Sequence, residues 1–220
     1  KGYDTEIITQ QAIEFIRSTK AGQPFACWMG YKACHAPFTP APGYENAFAD
    51  VEFKPPASYF IDDPGKPKRV RGKMRGAPEA PQAKRAARKA QKKAAAAAPE
   101  LTLTQWAERE RNQYRCLMGA EVSVGRLLAA LEEQKVADDT IIVYVGDNGF
   151  FHGEHGLHGK LEAYEESLRV PMLARYPRLI KPGQRVDAFV SNVDLAPTIL
   201  DFCGVNQPKP MQGRSWRPLV

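Results

Sequence analysis

Residues 140–149 read TIIVYVGDNG, and this stretch decides the fold. Its first six side chains are all β-branched or aromatic, which is typical of a strand covered on both faces, as in a parallel sheet. An amphipathic helical pattern precedes it, and Asp138-Asp139 marks the turn between the two. Helix, turn and buried strand together form one α/β unit.

The same order of elements recurs along the chain. Apolar residues at helical spacing are followed by Pro24 and a short apolar run, PFACWMGY. The predicted helices cover 5–20, 104–135, 161–169 and 194–203, and the predicted strands cover 24–30, 140–146 and 170–175. We expect an α/β fold with a mostly parallel central sheet and helices on both faces. The sheet is expected to be incomplete, so its open edges and apolar faces predict poor solubility.

The ends of the helices have candidate caps. Thr5 and Thr104 are candidate N-caps for the first two helices, and Gly204 is the candidate C-cap of the last.

Charge divides the chain into three parts. The net charge is +6, yet residues 64–98 hold twelve Lys or Arg and one acid, Glu79. The rest of the chain is net acidic. We therefore predict an α/β portion at 1–63, a basic Pro/Ala/Lys-rich insertion at 64–99 that is flexible or partly helical, and a second α/β portion at 100–220.

The basic insertion has two interpretations. It is either a solvated linker or a segment that binds a polyanion such as nucleic acid or a sulfated glycan. It contains no aromatic residue on which a base could stack, which argues against nucleic acid. A non-catalytic polyanion-binding module therefore stays as an alternative function.

The four cysteines are scattered, with no C-x-x-C pair, so neither a zinc site nor a small disulfide framework is expected. Cys27 and Cys203 lie in apolar runs and are predicted to be buried. Cys34 lies next to His35, but no third, orienting group is identifiable, which argues against a cysteine nucleophile. No run of about 18 apolar residues occurs, so no membrane span is predicted.

Two loops that follow predicted strands contain the candidate site residues. One carries His35; the other carries Asp147, Asn148, three histidines and Lys160. The Asp147 carboxylate and the Asn148 amide oxygen suit a hard cation such as Ca²⁺ or Mg²⁺, and the Lys160 ammonium could meet an anion. His152, His155 and His158 could form a zinc cluster, but their spacing gives no fixed tetrahedral geometry. They are expected to hydrogen-bond the loop into shape.

Three stretches of the sequence resemble the sulfatase family of the alkaline-phosphatase-like superfamily. They are YKACHAPFTP, DNGFFHGEHGLHGKLEAYEESLRVPMLARYP and the tail VSNVDLAPTILDFCGV…MQGRSWRPLV, and they occur in the family's order. The resemblance covers 1–60 and 100–220. It implies an alkaline-phosphatase-like fold and sulfuric ester hydrolysis of a carbohydrate or aryl sulfate.

The resemblance also implies roles for four residues. The positions of Asp147 and Asn148 ligate a divalent metal, usually Ca²⁺, and the position of Lys160 binds the sulfate. The position of His35 donates a proton to the leaving oxygen. Charge on the sulfuryl oxygens would then be neutralised by preorganised cations.

Part of the family pattern is not found in these 220 residues. Sulfatases attack with a formylglycine made from a C/S-x-P-x-R motif, and this motif does not occur here. The formylglycine is expected in a missing N-terminal part, so the isolated chain is predicted to be inactive. Phosphoester or phosphonate hydrolysis by the same superfamily is an alternative. The compartment and oligomeric state stay open, with a periplasmic or secreted location implied by family analogy.

Overall fold

The computed structural model describes residues 2–60, residue 65 and residues 102–220. The predicted insertion at 64–99 therefore lies outside the described residues, except for Gly65. The helices are α1 (Asp4–Ser18), α2 (Leu103–Glu133), α3 (Glu165–Leu168) and α4 (Leu195–Phe202), and the strands are β1 (Ile142–Val145), β2 (Phe151–His152), β3 (His158–Gly159) and β4 (Met172–Arg175). Short 3-10 helices lie at Ala57–Phe60, Ala137–Asp139, Glu154–Gly156, Asn192–Asp194 and Arg217–Leu219.

The chain forms two compact units, and each is described by itself. The first contains Lys1–Glu6, Gly30–Val122 and Phe150–Ser167. The second contains Ile7–Met29, Ser123–Gly149 and Leu168–Val220.

The first unit is built on the N-terminal part of α2. Arg115 donates from Nε to the carbonyl of Ala47 (2.9 Å), and Arg111 donates from Nε to that of Phe48 (2.8 Å). A Cβ at Gly119 would lie 2.5 Å from the Cβ of Ala41, so only glycine permits this close approach. These contacts hold the segment after His35 against the helix. The buried apolar residues here are Phe38, Ala41, Trp106, Cys116, Ala120, Phe151 and Leu157.

The second unit has an apolar core at the C-terminal end of α2. Ile13 and Ile16 of α1 pack with Ala130 and Leu131 of α2 and with Ala137, and Phe25, Leu127, Val136 and Ile142 surround them. An exposed ion pair between Arg17 and Glu133 (2.7 Å) lies on the same two helices. The helical spacing in the sequence marks this buried face only in part: Ile16 and Leu131 are buried as predicted, whereas Phe15 is 41% exposed.

The sheet differs from the prediction. β1 pairs antiparallel with β4, with Val143 opposite Ala174, and β2 pairs antiparallel with β3. Among the described residues every pair of strands is antiparallel, so the mostly parallel sheet is not confirmed. Residues 24–30 are assigned to no strand, and Trp28 is 87% exposed. An apolar run favours extended backbone, but a strand also needs a neighbour to pair with.

The helix ends correct two predicted caps. α1 begins at Asp4, one residue before the predicted cap Thr5. At α2 the cap is Thr102 rather than Thr104. Its Oγ1 accepts from Gln105 N (3.2 Å), while its own N donates to Gln105 Oε1 (2.9 Å). This reciprocal pair is a capping box, and only a polar side chain three residues on can complete it.

The last helix ends as predicted. Gly204 follows α4 with φ of +69° and donates to Asp201 O (3.1 Å), and Val205 donates to Leu200 O (2.8 Å). These two bonds form a Schellman motif, which favours glycine at the left-handed position. α4 and Gly204 thus confirm the predicted helix over 194–203.

Two of the cysteine predictions are wrong. Cys27 and Cys203 are both exposed, because Cys27 lies in the uncovered extended segment and Cys203 is the C-cap of α4. Cys116 is buried. Within the described residues, every helix is too short or too polar to cross a membrane.

Candidate functional site

His35 lies in a tight turn of the first unit. Its backbone N donates to Lys32 O (2.6 Å), and its carbonyl accepts from Phe38 N (3.2 Å). The ring Nδ1 is 3.0 Å from Ala36 O, a contact that requires a proton on Nδ1. The ring is exposed. In the neutral ring Nε2 is then the nitrogen that can accept a hydrogen bond.

A depression of about 240 Å³ lies beside His35. Tyr3, Asp4, Lys32 and Cys116 line it together with the His35 turn. Burial raises the pKa of Cys116 to about 11, and burial also raises the pKa of Cys34. Both thiols therefore stay protonated at neutral pH, which agrees with the argument against a cysteine nucleophile.

The loop before Lys160 is anchored on α2. Trp106 donates from Nε1 to the carbonyl of His152 (2.9 Å). His152 Nδ1 makes a short contact with Oε2 of Glu110, a residue that is 3% exposed. The backbone N of His152 also donates to Glu154 Oε2 (2.6 Å). One histidine thus ties the loop to the helix through both its ring and its backbone.

The other two histidines of this loop have separate partners. His155 stacks on Tyr164 with ring centroids 4.5 Å apart, and its Nε2 lies 3.3 Å from Glu166 Oε1. His158 packs edge-on against Tyr59, with centroids 5.8 Å apart, and burial lowers its pKa. Within the described residues, no group of three His, Cys, Asp or Glu could hold a metal. The arrangement supports the interpretation that these histidines shape the loop.

Lys160 follows the short hairpin of β2 and β3. Its neighbour Gly159 has φ of +87°, and Lys160 itself is partly exposed. The hairpin that leads to Lys160 meets the segment after His35 within the first unit. The ring of Phe150, just before β2, packs edge to face on that of Phe38 with centroids 6.2 Å apart. The two predicted residues thus lie on segments that touch each other three residues after His35 and ten residues before Lys160.

Asp147 and Asn148 lie in the second unit, directly after β1. Gly146, the residue before them, is held by two hydrogen bonds: its N donates to Pro171 O (3.2 Å), and its carbonyl accepts from Asn192 Nδ2 (3.0 Å). Asp147 is exposed, and its Oδ1 accepts from Asn148 N (2.8 Å). The Asn148 amide donates to Gly149 O (2.8 Å).

The donor set of this turn fits a hard cation in part. A carboxylate and an amide supply oxygen ligands, which Ca²⁺ and Mg²⁺ prefer. Ca²⁺ takes about 6–8 oxygens, so these two side chains supply only a fraction of its shell. Asp147 and Asn148 could therefore hold a metal only together with further ligands.

The Glu110–His152 pair predicts a pH-dependent contribution to stability. The hydrogen bond to Glu110 raises the pKa of His152, although burial opposes it, and Glu154 adds to the rise while Arg109 subtracts from it. A raised folded-state pKa stabilises the fold below the unfolded value of about 6.5, and this contribution is lost as pH rises through the folded value. We expect the melting temperature of the wild type to exceed that of Glu110→Gln more at pH 5.5 than at pH 8.5.

The control for this prediction is Glu133→Gln, which removes an exposed acid of the same helix. Its melting temperature relative to wild type should change little between the two pH values. A Glu110→Gln difference that is equal at both values would contradict the ion pair.

The sequence did not identify the residues of α2 that contact the two candidate loops. Trp106 and Glu110 contact His152, and Arg109 lies over the ring of Phe38, whereas the sequence pattern predicted only an amphipathic helix here. The signal available was the run Glu108–Arg111, four successive charges on a helix that has one buried face. At 3.6 residues per turn, such a run must turn some of its charges inward.

The sequence matches the family described as Sulfatase over residues 1–205, so the chain belongs to the sulfatase family. Among its relatives is an N-acetylglucosamine-6-O-sulfatase of Bacteroides thetaiotaomicron, 33% identical over the whole of this chain and 46% of its own. A Drosophila melanogaster protein named an extracellular sulfatase SULF-1 homolog is 33% identical over 100% of this chain and 18% of its own.

Solved structures agree with this assignment. A protein in complex with its substrate, D-glucosamine-2-N,6-O-disulfate, matches with a TM-score of 0.82 at 32% identity, covering 100% of this chain and 52% of its own. A phosphonate monoester hydrolase from Silicibacter pomeroyi matches with a TM-score of 0.75 at 26% identity, covering 98% of this chain and 40% of its own. The chain therefore has the alkaline-phosphatase-like fold of the sulfatases and spans about half the length of the Bacteroides relative.

Proposed function

We propose that this chain is part of a sulfuric ester hydrolase that removes sulfate from a sulfated carbohydrate. The observation that carries the proposal is the contact of Phe38 with Phe150, which joins the segment after His35 to the hairpin that leads to Lys160. A proton donor and an ammonium on adjoining loops are what cleavage of an anionic ester needs. The Bacteroides relative and the solved complex with disulfated glucosamine support 6-O-sulfated glucosamine as the substrate class.

The proposed mechanism assigns one task to each residue. Lys160 binds the sulfate and offsets negative charge on its oxygens in the transition state. His35, protonated on both ring nitrogens, donates a proton from Nε2 to the sugar oxygen as the S–O bond breaks. Asp147 and Asn148 would hold a divalent cation, preferably Ca²⁺, as two of its ligands, and that cation would supply further positive charge.

The nucleophile is proposed to come from another segment of the domain. No C/S-x-P-x-R motif occurs in the 220 residues, and the thiols of Cys34 and Cys116 are protonated. We therefore infer that this polypeptide on its own does not turn over sulfate esters. A formylglycine in the remaining part of the protein would complete the chemistry.

A second candidate activity is hydrolysis of phosphonate monoesters. The structural match to the Silicibacter enzyme favours it. The ammonium of Lys160 would bind an anionic phosphonate oxygen as well as a sulfate oxygen. The two activities differ in the ester that reacts, so a direct comparison of substrates separates them.

Export to the periplasm or the medium is part of the proposal. This proposal is supported by the Drosophila relative, which is named as an extracellular sulfatase homolog. A sulfated carbohydrate as the proposed substrate is consistent with it.

The test is an assay of the full-length protein that carries this chain. With Ca²⁺ present, we expect release of inorganic sulfate from N-acetylglucosamine 6-O-sulfate at a kcat/KM at least about 100-fold above that for a phosphonate monoester, on the scale of one strongly discriminating polar contact. The 220-residue polypeptide alone should release none. Preference for the phosphonate would reject the sulfatase assignment, and turnover by the polypeptide alone would reject the need for a second segment.

A further inference from the structure

Arg109 occupies the junction of the two site-bearing loops. Its guanidinium carbon lies 5.2 Å from the ring centroid of Phe38 and 5.6 Å from that of Phe150. Phe38 belongs to the His35 turn, and Phe150 opens the loop that leads to Lys160. α2 thus places a cation where the loops of the proposed proton donor and the proposed sulfate ligand meet.

The guanidinium of Arg109 forms no ion pair within the described residues, although the nearby carboxylate of Glu110 stabilises its charge in part. Its buried Nε has no hydrogen-bond partner in the part of the chain that the structure describes. Its burial lowers its pKa, which reflects the cost of desolvating the cation. The residue is still partly exposed, so a ligand from solvent could reach its guanidinium.

The acid beside Arg109 is already engaged. Glu110 directs Oε2 to His152 and accepts at Oε1 from Gln113 Nε2 (3.5 Å). Burial and the charge of Arg109 both lower the pKa of His158, which favours the neutral form of its ring. Two further arginines in the N-terminal part of α2, Arg111 and Arg115, are each paired with Glu108. Arg109 therefore differs from them, because its guanidinium has no direct ion pair among the described residues and Glu110 compensates its charge only in part.

Packing alone does not account for an arginine at this position. The stack on two phenylalanines stabilises the cation, which offsets part of its desolvation. A leucine or methionine would fill the same apolar slot without burying a charged group that lacks hydrogen bonds. An unpaired guanidinium in a half-buried position is instead suited to a planar anion, which it can bind through two parallel hydrogen bonds.

We propose that Arg109 binds a second anionic group of the substrate, a sulfate or a carboxylate, on a glycan whose reacting sulfate is held by Lys160. This inference rests on the proposed function and narrows its substrate class to sugars that carry at least two acidic groups. The guanidinium would gain the partner that the described residues do not give it, and the substrate would gain a second point of attachment.

The experiment measures binding on the full-length protein in a His35→Ala background, which removes the proposed proton donor so that hydrolysis does not consume the ligand. Dissociation constants are determined by calorimetry for N-acetylglucosamine 6-O-sulfate, for D-glucosamine-2-N,6-O-disulfate and for N-acetylglucosamine 6-O-sulfate linked to a uronic acid. With the wild-type Arg109 in place, one of the two doubly acidic ligands should bind about ten-fold more tightly than the monosulfate, the scale of one charged hydrogen-bond pair. The tighter of the two identifies the second group as sulfate or carboxylate.

Arg109→Gln should bring that ratio of dissociation constants close to one, and Arg109→Lys should keep part of it. The ratio compares ligands on one preparation, so a partly unfolded variant does not distort it. Arg126→Gln removes an equal charge from an exposed position of α2 and should leave the ratio unchanged. A ratio that survives Arg109→Gln, or that is absent with Arg109 in place, would overturn the inference.

Lys160→Ala separates this inference from the proposed function. It should weaken all three ligands together, because each carries the reacting sulfate. If Lys160→Ala has no effect while Arg109→Gln still lowers the ratio, the assignment of Lys160 fails and that of Arg109 stands.

Discussion

Replacing Lys160 by alanine is expected to lower kcat/KM of the full-length protein for a 6-O-sulfated glucosamine by about 10²–10³-fold. That range is typical for the loss of one preorganised group that offsets transition-state charge. The loss should appear in kcat as well as in KM, because the negative charge on the sulfuryl oxygens that face the ammonium grows in the transition state. Steady-state kinetics over a range of substrate concentrations separates the two parameters.

Two variants sharpen this prediction. Lys160→Arg keeps the charge but changes its shape, so it should retain more activity than Lys160→Ala. Lys181→Ala removes an exposed lysine of the second unit and should leave kcat/KM unchanged. Because Lys160 is partly exposed, its replacement should shift the melting temperature little. If Lys160→Ala has the kinetics of the wild type, Lys160 does not bind the reacting sulfate.

The individual helices and strands of this fold could be predicted where residues close together in the sequence determine them. The run of β-branched residues predicts β1, and the apolar positions of α1 and α2 predict the faces that meet in the second unit. Gly204 predicts the end of α4, since the left-handed backbone there favours glycine. In each case the information lies within a few residues of the element.

Pairing and burial could not be predicted in the same way. Residues 24–30 have the composition of a strand but form none, because their composition does not specify a neighbouring strand. β1 and β4 were each predicted, yet their antiparallel register depends on contacts between segments about 30 residues apart. The exposure of Cys27 has the same origin, since an apolar sequence around it does not guarantee that another element covers it.

The candidate site shows the same division. His35 and Lys160 were identified from their loops and from the family resemblance, and the structure places their loops in contact. Arg109 and Glu110 were not identified, because adjacent opposite charges on a helix are commonly exposed. Only tertiary structure shows that Glu110 turns inward to His152 while Arg109 lies between two aromatic rings. The predicted metal ligands stay a prediction.

Replacing Asp147 by alanine is the second change with a large expected effect. The carboxylate is the one charged donor of the proposed pair, so its loss should weaken Ca²⁺ binding strongly while loss of the neutral Asn148 amide should weaken it less. At ordinary Ca²⁺, kcat/KM should fall by about 10²–10³-fold, since a catalytic cation contributes several kcal/mol and each 1.36 kcal/mol is ten-fold in rate. Excess Ca²⁺ should restore part of the activity.

The measurement has a part that does not depend on activity. Calorimetric titration of the full-length protein with Ca²⁺ should give one site in the wild type, a weaker site in Asn148→Ala and no measurable site in Asp147→Ala. Asp187→Ala is the matched control, because it removes an exposed acid of the same unit that pairs with Arg185. A chelator that leaves turnover intact, or an Asp147→Ala protein that binds Ca²⁺ as the wild type does, would show that the turn after β1 binds no metal. The exposed Asp147 would then serve only the local bond to Asn148 N.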